Sequence, residues 1–114
     1  MHEFSIVTRI LELALDVSRQ HGNLPVERVT VEIGSLRQVA PDALLFAFEA
    51  ASRGTNAEGA VFEWNEIPAK VLCERCEAKF QPAEALWLCP KCGAGGGRII
   101  HGDELILKSV TLEE

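Results

Sequence analysis

Apolar side chains at Val7, Ile10, Leu11, Ala14 and Val17 recur at helical intervals and form one stripe through residues 4–21, while Arg9, Glu12, Asp16 and Arg19 fall mostly elsewhere. Gly22-Asn23 supplies the stop, since both residues tolerate positive φ just past a helix end. Over residues 26–34 the period changes to two. Val29, Val31 and Ile33 alternate with Arg28, Thr30 and Glu32, which predicts a strand with one buried face, ended by Gly34 and Ser35. Gln38 to Ala40 fit neither pattern. Pro41-Asp42 predicts a second helix start, because proline suits the first turn and a carboxylate suits the helix dipole. That helix runs through Leu44, Leu45, Phe48 and Ala51 to a stop near Gly54. Residues 60–67 read as a second strand with Phe62 and Trp64 on one face, and residues 104–112 resume strand character with Leu105, Ile106, Leu107, Val110 and Leu112.

Between the last two strands the pattern breaks. From Ala69 to Asp103 the chain holds all four of its cysteines, the run Gly95-Gly96-Gly97, and only two apolar patches, Phe80 and Leu86-Trp87-Leu88. That is too little apolar mass for an independent core, so a metal must hold the segment. The expected fold is α+β: a small sheet of about three strands packed by two helices, with a four-cysteine zinc-ribbon subdomain inserted before the last strand. The expected divisions are 1–68 for the α/β domain, 69–103 for the ribbon and 104–114 for the strand that returns to the first domain.

With 114 residues, the chain fits one ordinary domain or a modest core plus a metal-stapled module. The formal net charge of -6, with basic residues scattered among more numerous acids, argues against nucleic acid and anionic membrane as partners. Met1-His2-Glu3 lacks the basic start of a signal peptide, and the apolar run from Ala43 to Phe48 is far too short to span a bilayer. The expected compartment is the cytoplasm, where thiols stay reduced and cysteines are read first as metal ligands.

The cysteines occur as Cys73-Glu-Arg-Cys76 and Cys89-Pro-Lys-Cys92-Gly93, with twelve residues between the pairs. Two residues between cysteines let both sulfurs of a tight turn face one ion, and Gly93 suits the backbone such a turn needs. Two facing turns complete a tetrahedral shell, for which zinc is the expected ion. All four positions are then filled by protein, so the zinc is structural and activates no water. Two disulfides and a redox pair fit a cytoplasmic chain less well, and an iron–sulfur cluster is compatible with the ligand type.

A second candidate lies at the start. The Met1 amine, the His2 amide and imidazole nitrogens and the Glu3 amide can close short chelate rings in one plane. Such a planar nitrogen set suits Ni(II) or Cu(II) rather than zinc, and the general affinity order does not choose nickel over copper. Taken alone, a histidine at position 2 is ordinarily a solvated terminal residue.

Met1-His2-Glu3, Val31-Glu32-Ile33-Gly34 with Leu36 beyond, Arg53-Gly54-Thr55 followed by Ala57-Glu58-Gly59-Ala60, the paired Cys-x-x-Cys, and Gly102-Asp103-Glu104-Leu105 occur in this order along essentially the whole chain. The ordered set resembles the HypA/HybF family of hydrogenase nickel-incorporation proteins. The resemblance implies a nickel metallochaperone and not an enzyme. It implies one Ni(II), held transiently by His2 with the Met1 amine and with Glu3 as a secondary ligand, and one Zn(II) at Cys73, Cys76, Cys89 and Cys92. It further implies delivery of nickel to the large subunit of nickel-iron hydrogenase together with a HypB-type GTPase, and in some members service to urease maturation proteins.

The rival is a zinc-ribbon adaptor for protein interaction that delivers no metal. A nucleic-acid version of it is poorly supported, because Glu74, Glu77 and Glu84 offset Arg75, Lys79 and Lys91 on the ribbon. No nucleophile, paired base or open metal position argues for catalysis. His101 reads as a solvated loop residue, His21 as a helix C-terminal residue suited to the dipole, Asp103-Glu104 as a turn, and Trp64 and Trp87 as packing. Glu49, Glu63 and Glu66 show no paired arrangement.

Overall fold

The computed structural model describes residues 2–82 and 87–114, with His2 described by its backbone alone. Helix α1 spans His2–Gln20 and helix α2 spans Pro41–Ser52. The strands are β1 Val26–Gly34, β2 Val61–Ile67, β3 Lys70–Leu72, β4 Lys79–Phe80, β5 Arg98–His101 and β6 Leu105–Leu112, with a short 3-10 turn at Ser35–Arg37. Two compact units result. One gathers Met1–Glu32, Val39–Asn65 and Leu105–Glu114, and the other Ile33–Gln38 and Glu66–Glu104.

In the first unit most of the expected apolar stripe of α1 goes inward: Val7, Ile10, Leu11 and Ala14 are buried together with Ile6, while Val17 is only half-buried. Burying each of the four larger side chains contributes roughly 1.5–3 kcal/mol before chain entropy is subtracted, and Ala14 less. Gly22 and Asn23 take φ of 80° and 60°, the left-handed conformations that end the helix. His21 Nδ1 lies 2.9 Å from the Val17 carbonyl, satisfying one oxygen that the end of the helix leaves without a partner. Pro41 opens α2, as its fixed φ predicts. α1 packs on α2 and on β6.

The sheet of this unit has the order β2-β1-β6, with the central strand's Val29, Val31 and Ile33 fully buried. Phe48 of α2 meets Phe62 of β2 edge-to-face, with ring centroids 4.8 Å apart, tying the second helix to the sheet. On its polar positions the sheet carries the ion pairs Arg28–Glu63 and Lys108–Glu32. The expected α+β class, two helices and a sheet of about three strands, is what the chain forms.

The second unit has its own small antiparallel sheet of order β4-β3-β5, pairing Val71 with Phe80 on one side and with Ile99 on the other. Its buried cluster is small: Val71, Phe80, Cys73 and Cys89, with Cys76, Ala78, Trp87 and Ala94 packed against it. Trp87 therefore packs as expected, whereas Leu88 of the same patch is exposed and Leu86 lies outside the described residues. The segment after β1 also belongs here. Gly34 N–H donates to the Glu104 carbonyl and Leu36 N–H to the Gly102 carbonyl, both at 2.8 Å. Arg37 Nε donates to the carbonyls of Asp103 and Glu104 at 2.9 and 3.1 Å. Among the described residues no helix is long and apolar enough to cross a membrane.

Candidate metal centre

Cys73 and Cys89 each open a turn of the same construction. Cys73 N–H donates to the Ala78 carbonyl and Glu77 N–H to the Cys73 carbonyl, each at 2.8 Å. Sixteen residues on, Cys89 N–H donates to the Ala94 carbonyl at 2.9 Å and Gly93 N–H to the Cys89 carbonyl at 2.8 Å. The residue after each second cysteine must take positive φ to close the turn, 63° at Glu77 and 76° at Gly93. Glycine does this freely. A glutamate there is strained by roughly 1 kcal/mol.

These two turns bring the four sulfurs within 4.8 Å of one another. Cys73 Sγ lies 3.5 Å from Cys92 Sγ, and Cys76 Sγ lies 3.6 Å from Cys89 Sγ. A disulfide needs about 2.05 Å, so all four are free thiols. A tetrahedral thiolate shell with metal–sulfur bonds of about 2.3 Å puts its sulfurs roughly 3.8 Å apart. The cluster has that size.

The turns also prepare the charge a cation requires. The Cys76 and Arg75 amides donate to the Cys73 sulfur and, against the opposing effect of burial, lower its pKa. The Cys92 amide does the same for Cys89, helped by the Lys91 amide and opposed by burial, and lowers it to about 6. Hydrogen bonds to the thiolate favour the charged form. Cys76 goes the other way. The Ala78 amide lowers it, but burial and the three neighbouring thiols outweigh that and push it up to about 11. Four sulfurs this close cannot all be anions without a cation among them. The donor set is closed and made only of soft ligands, so it can hold an ion and leaves no coordination position for a reacting water.

The N-terminal candidates are placed differently. Met1 and the side chain of His2 lie outside the described residues. Glu3 is 8% exposed, and its Oε2 accepts the Ala40 N–H at 3.0 Å, just before α2 begins. Its carboxylate thus caps the opening of the second helix, a contact across 37 positions that no local pattern announces. His101 is solvated as expected, with its side chain 55% exposed, but it stands in a strand and not in a loop. It ends β5, and its Nδ1 lies 2.9 Å from Glu104 Oε2.

A family model described as hydrogenase/urease nickel incorporation, metallochaperone, hypA matches residues 1–112. The chain belongs to the HypA family. The hydrogenase maturation factor HypA of Roseiflexus sp. is 39% identical, the match covering 100% of this chain and 94% of that protein. The factor of the same name from Acidithiobacillus ferrooxidans is 37% identical, covering 99% and 100%. Among solved structures, a HypA protein in solution superposes with a TM-score of 0.73 at 25% identity, over 99% of this chain and 97% of that one. The nickel metallochaperone HypA from Helicobacter pylori gives 0.70 at 24% identity, over 96% of each chain, and bears on the fold alone. HypA proteins are metallochaperones, so this HypA-family chain is not an enzyme.

Proposed function

We propose that the protein is a nickel metallochaperone for maturation of nickel-iron hydrogenase, working in the cytoplasm. Its cargo site is the Met1 amine, the His2 amide and imidazole, and the Glu3 amide. The observation that carries the reading is the family match over residues 1–112, which reaches both Met1-His2-Glu3 and the four cysteines. Residues 1–68 and 104–114 form the nickel-carrying part, apart from the segment 33–38 that packs in the second unit, and residues 69–103 form the zinc ribbon.

The local physics supports an exchangeable site. α1 begins at His2, so the backbone amides of His2 and Glu3 belong to the opening turn of a helix. Amides of a first turn are not part of the helix's own hydrogen-bond ladder, and metal binding there costs the helix none of those bonds. The positive end of the helix dipole disfavours a dication by about 0.3–1 kcal/mol, which helps release. The Glu3 carboxylate is engaged at Ala40, so Glu3 enters the nickel site through its backbone nitrogen.

Zinc at Cys73, Cys76, Cys89 and Cys92 is structural and supplies the folding energy that Val71 and Phe80 alone do not. Nickel passes by ligand exchange to the hydrogenase large subunit, with a HypB-type GTPase as helper, and urease maturation proteins are a second class of recipient.

The test is a calorimetric nickel titration of untagged, zinc-loaded protein beside the same protein with one extra residue before Met1. Tight one-to-one binding that the extension weakens is the expected result. Equal binding by both forms would move nickel away from the terminus and overturn the site.

A further inference from the structure

Helix α2 is apolar on more of its circumference than the fold covers. Leu44, Ala47 and Phe48 are buried, yet Leu45 and Phe46 stand 42% and 71% exposed. A helix apolar on nearly all sides is ordinarily covered on all of them. Beside Phe46 a groove of about 280 Å³ opens between the two helices, lined by Glu3, Phe4, Ala43, Phe46, Ala47 and Ala50. Its walls present no polar surface. Phe4 is itself 55% exposed, and the short alanines keep the space between the two rings open. Contiguous exposed apolar surface of this kind marks an interaction site more often than chance.

Two further observations say what fits. Asp42 and Glu49, four residues before and three after Phe46, are exposed, and α2 contains no lysine or arginine. The edge of the groove formed by α2 is therefore acidic. A second copy of a chain of net charge -6 would bring like charges together across this surface, which disfavours self-association. On the nickel-transfer reading the groove also adjoins the cargo site. Glu3 forms part of its wall, and metal–nitrogen bonds are only about 2 Å long, so an acceptor that takes nickel by ligand exchange must come into contact with residues 1–3.

We infer that the Phe4–Phe46 groove is the docking surface for the protein that exchanges nickel with this chain. Its occupant is an apolar side chain on an amphipathic segment flanked by lysine or arginine. The inference rests on the nickel-transfer reading above, and it assigns that transfer a recognition surface that extends beyond the metal ligands.

The test uses full-length, zinc-loaded protein with Phe46→Ser, Phe46→Leu and, as a remote control, Ile106→Ser on the exposed side of β6. The probes are the purified GTPase and the purified hydrogenase large-subunit precursor of the same maturation system, with binding measured by interferometry with and without nickel. Nickel stoichiometry and sedimentation are recorded for each variant. Phe46→Ser is expected to weaken binding of at least one probe by about tenfold or more, as loss of an aromatic anchor does. Phe46→Leu and Ile106→Ser should stay within about threefold of the parent, with nickel binding unchanged throughout. Unchanged affinity of Phe46→Ser for both probes, with nickel retained, would overturn the docking surface alone. A parent protein that dimerises and a Phe46→Ser variant that does not would make the occupant a second copy and overturn the assignment. Failure of the parent to bind nickel would overturn the transfer reading, and this inference with it.

Discussion

Gly34→Ala tests the segment 34–37 most directly, because it separates space from backbone conformation. Gly34 has φ -70° and ψ 144°, extended backbone that alanine adopts without strain. An alanine Cβ, however, would fall 2.0 Å from both the carbonyl carbon and oxygen of Gly102, and 2.4 Å from Asp103 N. All three are backbone atoms, so no side chain can swing aside and the two segments must part. Parting them loosens the Gly34–Glu104 and Leu36–Gly102 hydrogen bonds and the Arg37 contacts to Asp103 and Glu104. At about 1 kcal/mol for each of two or three bonds, the expected loss is about 2–3 kcal/mol. The usual cost of overpacking, about 1–3 kcal/mol, leads to the same figure. The assay is urea unfolding of the zinc-loaded protein, with hydrogen exchange read at the Gly34 and Leu36 amides. Gly59→Ala is the comparison: its Cβ meets nothing within 4 Å, but its φ of +80° makes alanine cost about 1 kcal/mol. Gly34→Ala no worse than Gly59→Ala, or with unchanged exchange at both amides, would refute the argument.

Three further outcomes are expected. Glu77→Gly, which relieves the left-handed strain in the first cysteine turn, should raise the urea midpoint of the zinc-loaded protein by an amount equivalent to about 0.5–1 kcal/mol, whereas Gly93→Glu should lower it by a similar amount. Cys73→Ala should lose stoichiometric zinc, read with a chromogenic chelator, and accelerate exchange through residues 33–38 and 66–104 while amides of α1 and of β1 up to Glu32 stay protected; retained zinc would contradict the four-sulfur site. Glu104 should confer acid sensitivity. Burial raises its pKa, but the Gly102 N–H at 2.7 Å and His101 outweigh that and hold it below the ordinary carboxylate range. A carboxylate lowered on folding contributes stability that is present above its unfolded pKa, near 4.3, and lost as pH falls through its lower folded value. Glu104→Gln should therefore be less stable than the parent at pH 6, with the gap narrowing below about pH 4.

What could be read from the sequence was what repeats over short range. The stripe Val7, Ile10, Leu11, Ala14, Val17 and the alternation Val29, Val31, Ile33 are periodic, and each becomes a buried face, with Val17 alone of these residues only half-buried. Pro41 and Gly22-Asn23 act on their own backbone, so the helix ends were readable too. The sheet β4-β3-β5 was not readable, because strands of two to four residues carry no period and are held around the cysteines instead of by a patterned face. The Glu3–Ala40 and Gly34–Glu104 hydrogen bonds were hidden for a different reason: each joins positions far apart in the chain, and neither residue type predicts its partner. The motifs Val31-Glu32-Ile33-Gly34 and Gly102-Asp103-Glu104-Leu105 were visible as resemblance only. The structure supplies a physical reason for their glycines: a Cβ on Gly34 would meet the backbone of Gly102 and Asp103, and one on Gly102 would meet Ala69.

The candidate metal centre divides along the same line. Two residues between cysteines confine both sulfurs to one turn, so Cys73, Cys76, Cys89 and Cys92 could be grouped from spacing, and their sulfurs do converge. The sequence even held a sign of unequal turns, since glycine follows Cys92 and glutamate follows Cys76, though both positions take positive φ. A turn strained by roughly 1 kcal/mol survives only where something larger enforces it. A structural zinc bound with on the order of 10 kcal/mol or more would do so easily. On that argument a bound metal, not the turn's own preference, would fix the backbone at Glu77. The consequence is directional: relief of strain by Glu77→Gly should help the apo ribbon close its first turn, and should therefore raise zinc affinity by up to about fivefold while leaving nickel binding at the terminus untouched. An unchanged zinc affinity would mean that the apo turn already holds the left-handed conformation, and that the metal is not what enforces it.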